Sequence, residues 1–239
     1  MLGYLRSWGE ELEQIIEIIT YDVLLNRDRL ESGTYIFSDL DRLSTPQRAL
    51  VADVYQAIVS AGRGFAALND PARAMDRYQL LRTLGEAGRN AFALYRVDEV
   101  PEKPERPLFL RHLRQHAGAF TQPGSSAEQL LEEVATLVMI NIAPADIGVA
   151  EFLDTADDEG VYRKYSAFRV GDQIVPRHLI FSSGWDLKYP DLLEPQFIAE
   201  EWEYLEANPH RAQIAEIFAI ANIEYGRIDY SLHEGNIQT

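Results

Sequence analysis

The sequence predicts an α+β protein, with an N-terminal α/β lobe and a second half built from antiparallel sheets. Apolar runs with strand and helix periodicity alternate in the first half of the chain. In the second half, hairpin signals replace this alternation. A charged, proline-rich segment, Asp98–Arg106, separates the two parts and is expected to be a loop. We therefore predict two domains, residues 1–100 and residues 101–239.

Helical periodicity and turn residues define the elements of the first domain. The apolar positions of Trp8–Ile19 recur at helical spacing. Ser44, which precedes a Thr-Pro pair, begins a second helix that ends near Gly62. We expect Asn69-Asp70-Pro71 to cap a third helix over Ala72–Glu86. Runs rich in β-branched and aromatic residues predict strands over Gly33–Leu40, Phe65–Leu68 and Asn90–Val97.

The second domain contains two predicted hairpins. Gly171-Asp172 is a two-residue turn signal within the first hairpin, which spans Tyr162–Phe181. The second hairpin spans Tyr225–Thr239, with its turn at His233–Asn236. The other predicted elements are strands at Pro107–Arg111 and Ile147–Leu153, and helices at Ser126–Met139, Gln196–Ala207 and Pro209–Ala221.

Composition excludes several classes of protein. The formal net charge of −16 over 239 residues argues against a surface that binds nucleic acid or anionic membrane, so any anion site must be local. The absence of cysteine excludes a disulfide framework, a thiolate nucleophile and a Cys-ligated metal. No segment approaches the roughly 20 apolar residues that span a bilayer, and the N-terminus has no signal-peptide pattern. We expect a cytoplasmic protein that binds neither nucleic acid nor membrane.

The first hairpin gathers cations in an otherwise acidic chain. If Val170 pairs with Gln173, then Ser166 faces Arg177. Lys164 then lies diagonally from Arg177 on the same face. Such neighbours are about 7–8 Å apart, so the two charges repel each other unless an anion lies close to both. A bound polyanion such as a nucleotide phosphate would explain the pair, and so would a solvated sheet face.

Two further positions indicate ligand chemistry. Arg111 ends a predicted strand before a loop that contains Gly118, and a glycine loop after a basic strand end can wrap phosphates. A surface arginine before a flexible loop is the alternative. Asp229 lies inside the predicted strand RIDYSL, where either a divalent cation or its neighbour Arg227 would satisfy the carboxylate. No Walker lysine motif and no Gly-x-Ser-x-Gly motif is present.

Five segments, taken in chain order, carry a resemblance to a known family. They are LNDP (Leu68–Pro71), PLFLR (Pro107–Arg111) with Gly118 after it, VAEFLD (Val149–Asp154), FRVGDQIVPRH (Phe168–His178) and GRIDY (Gly226–Tyr230). Each segment is a loose match, and their order and spacing carry the likeness. Together they resemble the ATP-grasp superfamily, in the branch that includes glutathione-synthetase-like and RimK-like carboxylate–amine ligases.

This resemblance implies a fold, a reaction and cofactors. The fold would be ATP-grasp-like, with antiparallel sheets that enclose a nucleotide site. ATP and Mg²⁺ would be the cofactors, and the substrate would be a small-molecule or peptide carboxylate. ATP would phosphorylate this carboxylate, and an amine would attack the acyl-phosphate. The resemblance implicates Lys164 and Arg177 as catalytic residues at the reacting phosphates, and Asp229 as a magnesium ligand.

The same resemblance implies nucleotide-binding residues. Adenine would lie against the strand that ends in Glu151, Phe152 and Leu153. The phosphates would lie under a glycine loop and among cationic side chains. The implied phosphate-binding set is Arg77, Arg111, Gly118 and Lys164.

Departures from the family pattern leave alternatives open. Arg77 and Arg111 stand where lysines are usual, and Ser166 stands where an arginine is common. The sequence ends at Thr239, where the family continues into a Glu-x-Asn segment that supplies further magnesium ligands. Glu234-Gly235-Asn236 spells this pattern but is interpreted as a hairpin turn. We therefore expect a truncated ligase or a degenerate nucleotide-binding module without turnover that acts through a partner. A plain acidic α+β interaction protein is the third interpretation.

Overall fold

The computed structural model describes residues 7, 9–12, 14–115 and 118–239. Within these ranges the helices are α1 (Tyr21–Leu25), α2 (Thr45–Ser60), α3 (Arg77–Glu86), α4 (Ala127–Met139), α5 (Pro195–Ala207) and α6 (Arg211–Ala221). The strands are β1 (Gly33–Ile36), β2 (Phe65–Leu68), β3 (Leu94–Arg96), β4 (Leu108–His112), β5 (Ile147–Glu151), β6 (Tyr162–Val170), β7 (Gln173–Ser182), β8 (Tyr225–His233) and β9 (Asn236–Gln238). In the same ranges, no helix has the length and apolar character needed to cross a membrane.

The strands of the described residues form three sheets. β1 and β2 pair in parallel. β5 pairs antiparallel with β3 on one side and β4 on the other, and these strands form the small sheet. β7, β6, β8 and β9 lie in that order, all antiparallel, and form the large sheet. Helices combined with mainly antiparallel sheets confirm the predicted α+β class.

Separate apolar clusters support the sheets. Val51 and Ile58 of α2 are buried beside β1 and β2. Leu110 and Ile147 of the small sheet are buried against α4. One face of the large sheet packs against α5 and α6, where Ile214 is fully buried. Because side chains alternate along a strand, the opposite face of the large sheet carries a different set of residues, which is largely polar.

Helices α2, α3 and α4 begin with the same capping box. The side chain of the residue before the helix accepts a hydrogen bond from the N–H of the third helical residue, which is a glutamine. The side-chain oxygen of this glutamine accepts a hydrogen bond from the backbone N–H of the cap residue. A cap of this kind contributes about 1 kcal/mol. The predicted starts of α2 and α4 are therefore confirmed. The capping pairs are Ser44–Gln47, Asp76–Gln79 and Ser126–Gln129.

The predicted helix Trp8–Ile19 is wrong in the part that the structure describes. A 3-10 turn covers Glu10–Leu12, and residues 16–20 have no regular structure, whereas Trp8 itself lies outside the described residues. Ile15 is 76% exposed and Ile16 is 36% exposed, and Ile19 at the end of the stripe packs against the cluster beside β1 and β2. A helix of about 12 residues is marginal in water without packing along its apolar face.

The third predicted helix begins later than expected. Asp70 accepts a hydrogen bond from the N–H of Ala72 and so forms a local turn. α3 begins only at Arg77, after its cap Asp76. Asn69 is not a cap, because its backbone is left-handed with φ 64° and its side chain is directed into the protein, with 2% of the residue exposed.

Both predicted hairpins are confirmed. In the first, β6 and β7 pair with Val170 opposite Gln173, and Gly171 has φ 58° in the turn. In the second, β8 and β9 are joined at Glu234 and Gly235, which both have positive φ. This geometry agrees with the interpretation of Glu-Gly-Asn as a turn.

The register of the first hairpin differs from the prediction beyond a β-bulge. The pairing shifts between Ser166 and Ala167, so Ser166 faces His178 and not Arg177. Arg177 is the extra residue of the bulge. Pro176 next to it has no N–H to donate to the ladder, and prolines inside strands occur at such bulges. The expected diagonal pairing of Lys164 with Arg177 was therefore wrong.

Asn69 connects the end of β2 to the large sheet. Its Nδ2 donates to the carbonyl oxygens of Phe37 and Tyr225, each at 2.8 Å. Its Oδ1 accepts from the N–H groups of Glu224 and Tyr225, at 2.8 and 3.0 Å. The side chain therefore uses its whole hydrogen-bonding capacity on backbone groups of two distant segments.

We predict that Asn69→Ala lowers the free energy of unfolding by about 3 kcal/mol more than Asn141→Ala does, because buried backbone groups lose their partners. Asn141 is the matched control, since it is also left-handed, with φ 67°, but exposed. Urea denaturation of both variants measures the difference. Equal losses would mean that the backbone conformation, and not the hydrogen bonds, accounts for the effect.

Candidate functional site

Several predicted site residues meet around one short segment. We call Trp185–Lys188, which follows β7, the cleft segment. A Cβ atom on Gly118 would lie 2.7 Å from Nζ of Lys188 and 2.8 Å from a carboxylate oxygen of Asp186. Lys164 of β6 donates to the carbonyl oxygen of Leu187 at 2.8 Å. The ring of Trp185 contacts the ring of Phe152 after β5, with centroids 5.5 Å apart. The cleft segment thus bridges the small and large sheets.

Arg111 of β4 is a cation in a poorly solvated position. Burial lowers the pKa of Arg111 to about 10, and the charge of Arg77 acts in the same direction, while Asp186 opposes them. Among the described residues, no acceptor forms a hydrogen bond with the guanidinium of Arg111. The loop that follows returns to this strand, since Arg111 and Ala119 form a β-bridge. In the part of the chain that the structure describes, Asp186 therefore supplies a nearby opposite charge but no group bonds to the guanidinium of Arg111.

Arg77 lies at the start of α3 and faces the same region. Its guanidinium donates to the carbonyl oxygens of His112, at 3.1 Å, and Gln115, at 2.9 Å. Burial lowers its pKa, and the carboxylates of Asp41 and Asp229 oppose this shift. Arg77 thus ties α3 to the end of β4. Its predicted contact with phosphate stays a prediction.

Asp229 of β8 lies on the polar face of the large sheet. It accepts hydrogen bonds from Oγ of Ser166 at 2.8 Å and from Arg227 at 3.1 Å. Nζ of Lys164 is 3.9 Å from the same carboxylate. The ion pair with Arg227 that the sequence allowed is present. In the part of the chain that the structure describes, no group of three or more His, Cys, Asp or Glu residues is arranged to hold a metal ion.

His178 joins this set, and the sequence reasoning missed it. Burial lowers the pKa of His178, and the positive charge of Arg177 lowers it further. Asp229 acts in the opposite direction, and Lys164 and Arg227 add to the lowering. The bulge at Pro176 was the available signal, because it moves His178 opposite Ser166. Two cations, Lys164 and Arg227, therefore lie beside the carboxylate of Asp229, and His178 lies across Ser166 from it.

Arg177 itself is exposed, and its guanidinium lies 6.0 Å from the ring centroid of Phe168. This distance corresponds to a weak cation–π contact. Among the described residues, the side chain of Arg177 forms no hydrogen bond or ion pair that would fix its position. Its predicted catalytic role stays untested.

In the predicted adenine-binding strand, the carboxylate of Glu151 already has hydrogen-bond partners within the protein. Glu151 is 6% exposed and accepts hydrogen bonds from the N–H of Ala93, at 3.0 Å, and the hydroxyl of Tyr95, at 3.1 Å. Burial raises the pKa of Tyr95 to about 12, and the charge of Glu151 contributes. The carboxylate therefore holds β3 against β5. Leu153 follows β5 and is half-buried.

An aromatic cluster lies beside this strand. Trp185 contacts Phe109 of β4 and Phe152 edge-on, with centroid distances of 5.1 and 5.5 Å. The indole N–H of Trp185 donates to Gln122 at 3.1 Å. Such pairs contribute about 0.5–1.5 kcal/mol beyond burial of their area. Trp185 therefore lies where the small and large sheets meet.

Proteins similar to this chain are found among the solved structures. No protein-family model matches the sequence, and the search of curated proteins finds no match. The chain is similar to the ATP-grasp ligase PsnB solved with its minimal precursor, with 13% identity and a TM-score of 0.47, over 81% of this chain and 60% of that chain. It is also similar to D-alanine–D-alanine ligase from Bacillus anthracis complexed with ATP, with 12% identity and a TM-score of 0.43, over 77% of this chain and 60% of that one.

A further similar structure is the macrocyclase MdnC from Microcystis aeruginosa bound with its precursor peptide. The identity is 16% and the TM-score 0.43, over 82% of this chain and 62% of that chain. The chain thus spans about three fifths of the length of these solved proteins.

His112, at the end of β4, gives a test of the local electrostatics. Its Nδ1 accepts hydrogen bonds from the N–H groups of Arg114 and Gln115, at 3.0 and 3.2 Å, which requires an unprotonated Nδ1. Burial lowers the pKa of His112, although Asp146 opposes the shift. Below about pH 6.5, the usual value, the unfolded chain therefore binds a proton that the folded chain does not.

We predict that lowering the pH from 7.5 to 5.5 reduces the stability of the wild type more than that of His112→Asn, because asparagine can accept the same bonds without titrating. Urea midpoints at the two pH values measure this. His233→Asn, in the last hairpin, is the control and is expected to keep the wild-type pH dependence. A pH dependence unchanged in His112→Asn would contradict the assignment.

Proposed function

We propose that the cleft between the small and large sheets binds ATP. The observation that carries this proposal is Arg111, a desolvated cation for which the described residues provide no hydrogen-bond acceptor. Holding such a charge away from water is costly unless a partner compensates. Phosphate oxygens suit a guanidinium because they accept two parallel hydrogen bonds. In a chain with a net charge of −16, cations gathered at one place favour a local anion site.

The triphosphate would lie between Arg111 and the polar face of the large sheet. Arg77 is close enough to Arg111 for their charges to interact, and Lys164 lies beside Asp229. Gly118 supports this placement, because a residue without a side chain lets the loop backbone approach a ligand closely. The base would lie near the rings of Phe109 and Phe152. Glu151 would act indirectly, by fixing β3 and β5, since its carboxylate is already bonded.

The donor set does not fit a resident magnesium ion. Asp229 is already bonded to Ser166 and Arg227, and the described residues supply no metal-binding cluster. Magnesium carried by nucleotide phosphates needs only one or two protein carboxylates. We propose Asp229 as this single ligand. The ion would neutralise phosphate charge, and the role of the protein is to hold the phosphates with its cations.

ATP-dependent ligation is the activity that we propose for this site, on the basis of the sequence segments that resemble carboxylate–amine ligases. A carboxylate oxygen of the substrate would attack the γ-phosphorus, and ADP would leave. An amine would then attack the acyl carbon, lose its proton and displace phosphate. Lys164 and Arg177 would stabilise the negative charge of the transferred group. A nucleotide-binding module without turnover is the second candidate, favoured by the poor metal site.

We predict that the wild type binds Mg-ATP and that Arg111→Gln weakens binding by about 10- to 100-fold, the effect of losing hydrogen bonds to a charged group. Arg89→Gln is the matched control, because Arg89 is exposed and paired with Glu216 at 2.6 Å. Calorimetric titration of the three proteins measures the affinities. Arg111→Gln should also be no less stable than the wild type, since it removes a desolvated charge.

This double readout separates a binding residue from a structural one. A variant that loses stability and nucleotide affinity together would indicate that Arg111 supports the fold. Absence of Mg-ATP binding by every protein in the series would overturn the proposal and favour the acidic interaction protein. Release of ADP that requires both a carboxylate and an amine would exclude the module without turnover.

A further inference from the structure

The cleft segment presents three kinds of chemistry in three successive residues. Trp185 offers a flat aromatic ring, Asp186 offers an anionic group, and Leu187 offers a carbonyl acceptor. Each of them lies against the residue proposed to bind the corresponding part of ATP. The segment lies in the loop between β7 and α5, where the described residues form neither helix nor strand.

Trp185 is located where the base would be. Its ring packs edge-on against Phe109 and Phe152, which are the rings proposed to contact adenine. The indole N–H donates to Gln122, so the polar edge of the ring is also bonded. A purine could not contact these two rings in the same way while the indole lies between them.

The next two residues lie near the proposed phosphate-binding groups. Asp186 supplies the negative charge that opposes the lowering of the pKa of Arg111, and its carboxylate lies against the backbone of Gly118. The carbonyl oxygen of Leu187 accepts the hydrogen bond of Lys164. A cavity of about 710 Å³ opens nearby, but none of the predicted site residues lines it. The cleft itself is therefore occupied by protein.

We propose that the cleft segment is an internal substitute for the nucleotide and must leave the cleft before ATP binds. This inference rests on the proposed function, and it makes the loop a regulator of that same site. The substitution is incomplete, because Asp186 carries one negative charge and a triphosphate carries several. ATP would therefore displace the segment by stronger interactions with the same cations.

The connections of the segment allow it to move as a unit. Asp191 accepts hydrogen bonds from the N–H and the hydroxyl of Ser183, at 3.1 and 3.0 Å. These bonds close the neck of a compact loop that contains the cleft segment. Leu187 is the buried anchor of this loop, with 9% exposed, whereas Tyr189 beside it is 83% exposed. Displacement therefore has to expose one leucine and one tryptophan.

The test is the affinity for Mg-ATP of variants that weaken the closed form. If the open form is a tenth of the population, the apparent affinity is about tenfold lower than the intrinsic one. Trp185→Ala and Asp186→Asn are each expected to bind Mg-ATP up to about tenfold more tightly than the wild type. Trp202→Ala is the control for removal of an indole, because Trp202 is 62% exposed on α5. It is expected to leave the affinity unchanged. Asp186→Asn preserves the shape of the segment and covers the case in which Trp185→Ala fails to fold.

The outcomes separate this inference from the function on which it rests. Binding by the wild type with equal or weaker binding by both cleft-segment variants overturns the inference and leaves the proposed function standing. Weaker binding by Trp185→Ala in particular would mean that Trp185 contributes to the base site. Tighter binding by either variant, or binding by that variant alone, supports both proposals. Absence of binding by every protein in the series overturns both.

Discussion

The placement of Arg77 relative to Asp229 depends on the four side-chain hydrogen bonds of Asn69. These bonds hold the end of β2 against Tyr225, the first residue of β8, and so fix the register of the strand that carries Asp229. The chain that follows Asn69 is tied to the same region, because the N–H of Met75 donates to the carbonyl of Ala221 at 2.8 Å. Arg77 comes two residues later. One left-handed asparagine thus sets the distance between a cation on α3 and a carboxylate on the large sheet.

The elements that the sequence predicted well have local causes. Ser44 and Ser126 begin helices because a cap and a glutamine three residues later satisfy free N–H groups within a single turn. Gly171 defines the first hairpin because its positive φ suits a two-residue turn. The helix predicted for Trp8–Ile19 was wrong because periodicity indicates only that a helix would have an apolar face. It does not show whether another part of the chain packs against that face and stabilises the helix. The order of strands in the small sheet also depends on long-range contacts and was not predicted.

Only part of the candidate site was accessible from the sequence, for a similar reason. Lys164 was singled out because its hairpin gathers cations in an acidic chain, and Asp229 because a carboxylate inside a strand is disfavoured. The structure places the two groups 3.9 Å apart. His178 was missed although Pro176 was available as a bulge signal. Trp185 could not be assigned, because its partners Phe109 and Phe152 are distant in the chain and no local pattern relates them. Glu151 has the expected position in a strand, but its hydrogen bonds to β3 could be seen only in three dimensions.

Gly118 connects the fold to the behaviour of the cleft. A Cβ at this position would lie within 3.0 Å of atoms of both Asp186 and Lys188, so the loop reaches these charged groups only because it carries no side chain there. The same closeness would serve phosphate oxygens, which are similar in size and charge to the carboxylate of Asp186. A position shaped for one anion is therefore suited to the other. The proposed competition between the cleft segment and a nucleotide would act through this geometry, because both would use the same backbone and the same arginine.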